Sequence, residues 1–302
     1  MGNIRDIRTK IANVGKTRKI TNAMQQIAFA KLARSKKQAE RIRPYARGIR
    51  TMMARMLAVS PRLSSPLMIR RLPVRRVGMI VVTTDKGLCG ALNSRLLLQC
   101  MHRIDAWTQA GCEVSVTVIG TQGFAALRRA GVNVVAHVPT GKDLGDPESL
   151  LGTMSVPIMQ YVEGQLDELY VANNRFVNTL RYAPVIARFL PFDGEMGGMP
   201  PELHCGVIPD PDAATVDYRY EPDAAAVVDA LLMRYLEVMI YQAVAENAAC
   251  EQSARMTAMK AATENCDRTV AELTVHYNKT RQEAITRELI EIVAGAAAVD
   301  ER

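Results

Sequence analysis

Apolar residues open the chain at Ile4, Ile7, Ile11 and Val14, a 3-4-3 spacing that places them on one side of an α-helix. The stripe rejoins at Ala28 and Leu32. The spacing predicts one long helix over residues 3–59, kinked or interrupted at Pro44, whose ring removes a donor and crowds the preceding turn. Residues 60–73 are rich in Pro, Ser and Arg and make a linker. Over residues 74–192 the pattern shortens. The run from Val77 to Thr83 is a buried strand, "ALNSRLLLQCMHRIDAWTQAG" an amphipathic helix with a Gly stop, "CEVSVTVIG" a second strand, "TQGFAALRRAG" a short helix and "VNVVAHV" a third strand. Residues 147–166 are helical with an interruption expected at Pro157, and "DELYVANNRF" and "YAPVIARFLP" are two further strands. Strands alternating with helices imply βαβ units and a mainly parallel sheet. Residues 193–221 form a Pro-, Gly- and Asp-rich loop.

The last region differs from all of these. Residues 223–294 contain neither Gly nor Pro over 72 positions, and a continuous helix of that size would extend roughly 110 Å. Val228, Leu231, Tyr235, Val238, Ala245, Ala249, Met256, Met259, Cys266, Val270, Leu273 and Tyr277 follow alternating three- and four-residue steps, with Gln242, Gln252 and Thr263 interrupting. Such a repeat makes a left-handed supercoil. The N-terminal helix is the partner available within the chain, so the two would pair antiparallel with the α/β domain inserted between them, and one helix can outrun the other. The expected organisation is therefore a coiled-coil helix at 1–59, an α/β base domain at 74–192, a loop region at 193–221 and a second coiled-coil helix at 222–302.

Composition agrees with a helical frame. Hydrophobic residues make up 48% of the 302 positions and aromatics only 5%, and no apolar run approaches the roughly 18–20 residues that a membrane span needs. The net charge of +7 hides an asymmetry: residues 1–59 carry 15 Lys and Arg against Asp6 and Glu40, a net +13, which leaves −6 for the remainder. A basic arm of this kind asks for an acidic partner, whether nucleic acid, anionic lipid or an acidic protein surface. A nucleic-acid reading predicts aromatic interleaving, and the arm offers only Phe29 and Tyr45.

Little in the sequence points to chemistry. The six cysteines (Cys89, Cys100, Cys112, Cys205, Cys250, Cys266) lack C-x-x-C spacing and are expected to be reduced thiols. The four histidines (His102, His137, His204, His276) form no metal-ligand pattern. The Gly-rich turn "TTDKGLCGALN", Thr83 to Asn93, could cradle a phosphate or activate Cys89 near a helix start. It matches neither phosphate-loop signature, and tight-turn packing is the expectation. Glu221 and Asp223 suit the start of the last helix and are expected to cap it.

Three stretches nevertheless resemble one family. "IRTKIANVGKTRKITNAMQQIAFAKL" near the N-terminus, "VVTTDKGLCGALN" in the inserted domain, and "YNKTRQEAITRELIEIVAGAAAV" at the end, with "YEPDAAAVVDALLMRYLE" and "ENAACEQSARMTAMKAATENCD" before it, are similar to the gamma subunits of F-type ATP synthases. The likeness covers nearly the whole chain. It implies an antiparallel two-helix coiled coil enclosing a Rossmann-like domain, and a non-catalytic rotor shaft with no cofactor and no metal. The coiled coil would stand inside a ring of three alpha and three beta subunits. The base would bind the epsilon subunit and the membrane rotor ring of c subunits, peripheral to the cytoplasmic face of a bacterial plasma membrane. By the same resemblance Lys10, Lys16, Arg18, Lys19, Lys31, Arg255, Lys260, Arg281, Gln282, Thr286, Ile285, Leu289, Ile292 and Val293 would contact the alpha/beta ring, and Tyr218, Tyr220 and Glu221 the rotor ring. The chain departs from the family's usual residues at Asn22, Gln25, Gln26, Phe29, Lys86 and Ala91.

Overall fold

The computed structural model describes residues 4–59, 65–141, 147–179, 181–192, 221 and 223–300. Along the chain run α1 (Ile4–Val59), a short 3-10 turn (Pro66–Met68), β1 (Arg76–Val82), α2 (Leu92–Gln109), β2 (Glu113–Ile119), α3 (Thr121–Arg129), β3 (Val134–Val138), α4 (Pro147–Val162), β4 (Glu168–Asn178), β5 (Arg181–Leu190) and α5 (Ala224–Asp300). They divide into two compact units, residues 1–28 with 255–302, and residues 29–254.

The first unit is built from the start of α1 and the second half of α5. Thr21 and Thr263 share a hydrogen bond of 2.7 Å between their hydroxyls, and Arg18 pairs with Asp267. Three residues backward on α1 correspond to four residues forward on α5, so the helices are antiparallel. Residues withdrawn from solvent follow the heptad step at 4, 7, 11, 14, 21, 25 and 28 on α1, and at 256, 259, 263, 266, 270, 273, 277, 280 and 284 on α5, with 15, 24, 255, 258 and 262 flanking that line. That 3.5-residue period is the knobs-into-holes seam of a coiled coil. Thr263, an interruption in the apolar pattern, lies in the seam and is satisfied there by Thr21, a polar rung that leaves the period intact.

The second unit contains the sheet, in the order β3-β2-β1-β4-β5, with β1 parallel to β2 and β4, β2 parallel to β3, and β5 antiparallel on the β4 edge. Alternation along β1 feeds two cores. Met79 and Val81 pack with Leu96, Cys100 and Ile104 of α2 and Leu127 of α3. Ile80 and Val82 pack on the other face with Met154, Ile158 and Tyr161 of α4, Ala39, Ala46 and Ile49 of α1, and Leu232, Leu236 and Ile240 of α5. Gly120 and Gly123 let the start of α3 lie against Thr83; a Cβ at Gly120, whose φ is +103°, would come within 2.5 Å of the Thr83 carbonyl oxygen.

The interruption expected at Pro157 is absent, and of the kink or interruption expected at Pro44 the interruption is absent. α1 runs through Pro44 and α4 through Pro157 as single helices. Pro44 is exposed, and the helix on its C-terminal side is anchored by Ala46 and Ile49 in the core. Pro157 is itself buried, between Met154 and Ile158. In both places core packing outweighs the loss of one backbone hydrogen bond, an outcome that local propensity does not foresee. The loop region over 193–221 lies outside the described residues except for Glu221.

Candidate functional site

The Gly-rich turn after β1 is the place where chemistry was conceivable, and its groups are turned on one another. Thr84 Oγ1 donates to the Lys86 carbonyl (2.8 Å), Asn93 Nδ2 donates to Thr84 Oγ1 (2.7 Å), and Asn93 Oδ1 accepts from the Thr84 amide (3.3 Å). Asp85 gathers the neighbouring loops. Its Oδ1 accepts from the Thr121 amide (3.0 Å), the Thr121 hydroxyl (3.1 Å) and the Thr140 amide (3.1 Å), and its Oδ2 from the Gly141 amide (2.9 Å). The amide at the N-terminus of α3, which could have held a phosphate, is thus taken by the chain's own carboxylate. Cys89 lies beneath the turn at 2% exposure, unsuited to attack an external substrate. The polar groups of the turn are thus engaged within the chain, and among the described residues no group of His, Cys, Asp and Glu is arranged to hold a metal ion.

Leu88 is the large apolar residue of this turn that faces outward, 61% exposed, on a left-handed backbone with φ of 63°. Left-handed geometry is rare for leucine and persists only where the surroundings impose it. No sequence signal marked it, because the flanking Gly87 and Gly90 drew the expectation instead.

The other candidate is the helical shaft. From 285 to 293 every side chain of α5 is exposed, although the stretch is largely apolar: Ile285 is 44% exposed, Leu289 56%, Ile292 68% and Val293 67%, with Ile290 at 62%. The last withdrawn position of the seam is 284. Arg281, Gln282 and Thr286 are also exposed. On α1, Lys10, Lys16, Lys19 and Lys31 point to solvent. Arg18 behaves differently from these lysines, for it pairs with Asp267 on α5 within the same unit. Lys260 is exposed, 4.0 Å from Glu264 one turn on, and Arg255 is half-buried. Tyr218 and Tyr220 lie outside the described residues, and Glu221 is exposed. Asp223 caps α5 as expected, its Oδ1 accepting from the Ala226 amide at 2.9 Å.

Sequence reading also missed apolar residues on the outer side of α1. Ile20 and Ile27, 58% and 57% exposed, are seven residues apart and off the seam, and Phe29 is 62% exposed. A search for a second stripe of period seven would have found the two isoleucines. Isolated exposed apolar residues are ordinary, whereas repeated ones on one helix mark a contact surface.

The sequence model of the family described as ATP synthase matches residues 3–299. The "ATP synthase gamma chain" of Bordetella petrii is 44% identical over 305 aligned positions, covering 99% of this chain and all of that one. The "ATP synthase gamma chain" of Nitrosomonas europaea is 44% identical over 300, with the same coverage. Among solved structures, a chain of the Euglena gracilis mitochondrial ATP synthase rotor superposes with a TM-score of 0.63 at 16% identity, covering 93% of this chain and 98% of that chain. A chain of the Tetrahymena thermophila mitochondrial ATP synthase central stalk and c-ring structure gives 0.59 at 19% identity, covering 80% and 99%. These two likenesses concern the fold.

Proposed function

This chain belongs to the ATP synthase gamma-chain family, and from that premise we propose that it is the central rotor shaft of an ATP synthase, itself catalysing nothing. The observation that carries the reading is the tip of α5. A helix that carries Ile285, Leu289, Ile290, Ile292 and Val293 among the nine residues of 285–293, with every side chain there exposed, gains if other chains remove those five from water. A ring of alpha and beta subunits supplies such a sleeve. Apolar contact is non-directional, so a tip can turn within it without breaking a fixed set of hydrogen bonds at each step. The exposed lysines of α1, Lys10, Lys16, Lys19 and Lys31, would face acidic surfaces of the ring, with Arg255, Lys260, Arg281, Gln282 and Thr286 on α5. Individual exposed pairs contribute about 0–1 kcal/mol, so charge guides the path and the asymmetric shape of the shaft moves the catalytic subunits. Tyr218, Tyr220 and Glu221 would meet the c-ring, and the base would also carry an epsilon subunit. No helix of the described residues is long and apolar enough to cross a membrane, in keeping with attachment at the cytoplasmic face through the ring.

The test is co-purification from the native host. A tagged chain is expected to bring alpha and beta subunits, to hydrolyse no ATP alone, and to show rotation-linked hydrolysis only within the complex. Recovery of the chain without any alpha/beta ring, from cells in which it accumulates, would sink the proposal.

A further inference from the structure

Within the second unit, α5 carries a polar stripe into the core. Gln242, Glu246, Asn247 and Ser253 are each no more than 4% exposed, and Cys250 is fully buried among them. Of these, Asn247, Cys250 and Ser253 meet the β4–β5 hairpin, while Gln242 donates to Glu246 one turn on. Asn174 Nδ2 of β4 donates to Asn247 Oδ1 at 3.0 Å, with both residues at 1% exposure or less. The Cys250 thiol donates to the Asn174 carbonyl at 3.5 Å, and the Ser253 hydroxyl donates to the Thr179 carbonyl in the hairpin turn. From the other side, Gln38 of α1 donates to the Tyr241 hydroxyl at 3.3 Å, and the Lys36 ammonium stands 5.6 Å over the Phe176 ring of β4.

Stability does not account for this stripe. Asn174 Oδ1 and Gln242 Oε1 are buried without a hydrogen-bond partner among the described residues, and an apolar pair of similar shape would be as stable or more so. What an amide pair adds is direction. Apolar contacts tolerate a small rotation of a helix in its seat at little cost, whereas a hydrogen bond weakens steeply once its angle falls below about 120°. Three such contacts to one hairpin, at 247, 250 and 253, fix the angle of α5 about its own axis.

We infer that Asn174, Asn247 and Ser253 form a torsional key between the sheet and α5, holding the helix at one rotational setting so that torque reaching the base passes into the helix instead of being lost as slip. The inference rests on the rotor reading. These are positioning residues; none touches a reacting group. The key belongs to this chain alone and requires no partner to form.

The test uses the whole synthase in inverted membrane vesicles, comparing the native chain with Asn174→Leu/Asn247→Leu and with Ser253→Ala. ATP hydrolysis and ATP-driven ion uptake are measured on the same vesicles. The expected result is a loss of at least about twofold in ions moved per ATP hydrolysed for the double variant, and a smaller loss for Ser253→Ala, with the amount of assembled complex unchanged. A purely structural role would lower assembly and hydrolysis together and leave the ratio alone. An unchanged ratio in an assembled double variant overturns the key. Should the double variant fail to accumulate, Ser253→Ala decides: a lowered ratio supports the key and an unchanged one overturns it. Absence of the alpha/beta ring from the native chain's complex is a separate result that defeats the rotor reading itself.

Discussion

One helix, α5, crosses two environments. Over 240–250 it is enclosed, with Ile240, Ala245 and Cys250 at 0% exposure and Val244, Asn247 and Ala249 at 1%. Over 285–293 it is bare. Both stretches are rich in apolar residues, and neither contains Gly or Pro. The enclosed stretch is explained by its own chain, since α1, α4 and the sheet cover its apolar residues, while Asn174 and Glu246 meet its buried Asn247 and Gln242. The bare stretch has no such explanation within the described residues, and its composition makes sense only in an assembly. Hydrophobicity alone therefore does not separate a folding element from a bearing surface. What separates them is where the heptad partner ends.

The comparison breaks most sharply under truncation of leucines. Leu236 of α5 is fully buried in the core against the sheet and α4, so Leu236→Ala is expected to destabilise the isolated chain by about 2–5 kcal/mol, through lost transfer energy and a residual cavity. Leu289→Ala, 56% exposed in the native chain, should stay within about 0.5 kcal/mol. Thermal or urea melts of the purified chain measure both. The order should reverse in the assembled complex, where Leu289→Asp lowers recovery of the alpha/beta ring although the chain still melts normally. A comparable loss of stability from Leu289→Ala in the isolated chain would mean that the tip is already covered by its own chain.

A second prediction sets the base apart by its response to acid. Asp167 is buried at the foot of β1. Burial alone would push its carboxyl up, but the Arg75 and Arg76 amides (2.9 and 2.8 Å) and the Arg76 guanidinium (3.1 Å) together hold it below the usual carboxylate value. A depressed carboxylate contributes stability above its unfolded pKa and loses that contribution as pH falls through the folded value. Asp167→Asn is therefore expected to cost about 1–3 kcal/mol at neutral pH. That difference from the native chain should be full above about pH 5 and shrink below about pH 4. A difference that persists undiminished in acid would mean that charge is not what Asp167 provides. Leu289→Ala should show no such pH dependence.

How much of this was legible beforehand follows the same division. The order of strands and helices and the antiparallel pairing of the two long helices were readable, because each rests on a period of about two or 3.5 that the side chains themselves carry. The prolines misled because their cost is local and the compensation from Ala46, Ile49, Met154 and Ile158 is tertiary. Thr263 and Gln242 looked alike as breaks in the apolar pattern, yet one is a rung of the seam and the other lies buried beside Glu246, to which it donates at 3.0 Å. For Thr263 the neighbouring helix decides, and no window of sequence contains that neighbour. The same holds for Asn247, whose side-chain oxygen is met by Asn174, 73 residues away. At the Gly-rich turn the structural reading was available because the phosphate signatures were missing, but the part played by Asp85 depended on loops about 36 and 56 residues further along.

The seam's polar rung gives a third prediction, smaller than the others. Thr21 and Thr263 hydrogen-bond to each other, and each also lies within reach of a carbonyl of its own helix, Arg18 O at 3.0 Å and Met259 O at 2.9 Å. With those fallback acceptors, Thr21→Val or Thr263→Val singly should cost no more than about 1 kcal/mol, and the double variant should recover most of the loss by burying two methyl groups in the seam. A double variant less stable than the sum of the singles would show that the hydroxyl pair supports the coiled coil directly.

The smallest expected effect is at Arg18 and Asp267, which form an ion pair with side chains about half exposed. Arg18 falls on the heptad step between Val14 and Thr21, so its aliphatic stem starts at the seam while its guanidinium reaches Asp267. Exposed pairs of this kind contribute about 0–1 kcal/mol and are screened by salt. In a double-mutant cycle with Arg18→Met and Asp267→Asn, the coupling energy should therefore be below about 1 kcal/mol at low ionic strength and vanish near 1 M salt. Arg18→Met keeps the stem and removes the charge, so its melting temperature should barely move, whereas Arg18→Ala should lower it further by uncovering the seam. Equal losses from the two substitutions would show that the charge, and not the stem, is what the seam uses at this position. Arg18 would then join the lysines of α1 as a charged group, and the distinction between the internal face of the shaft and its outward face would have to be drawn elsewhere.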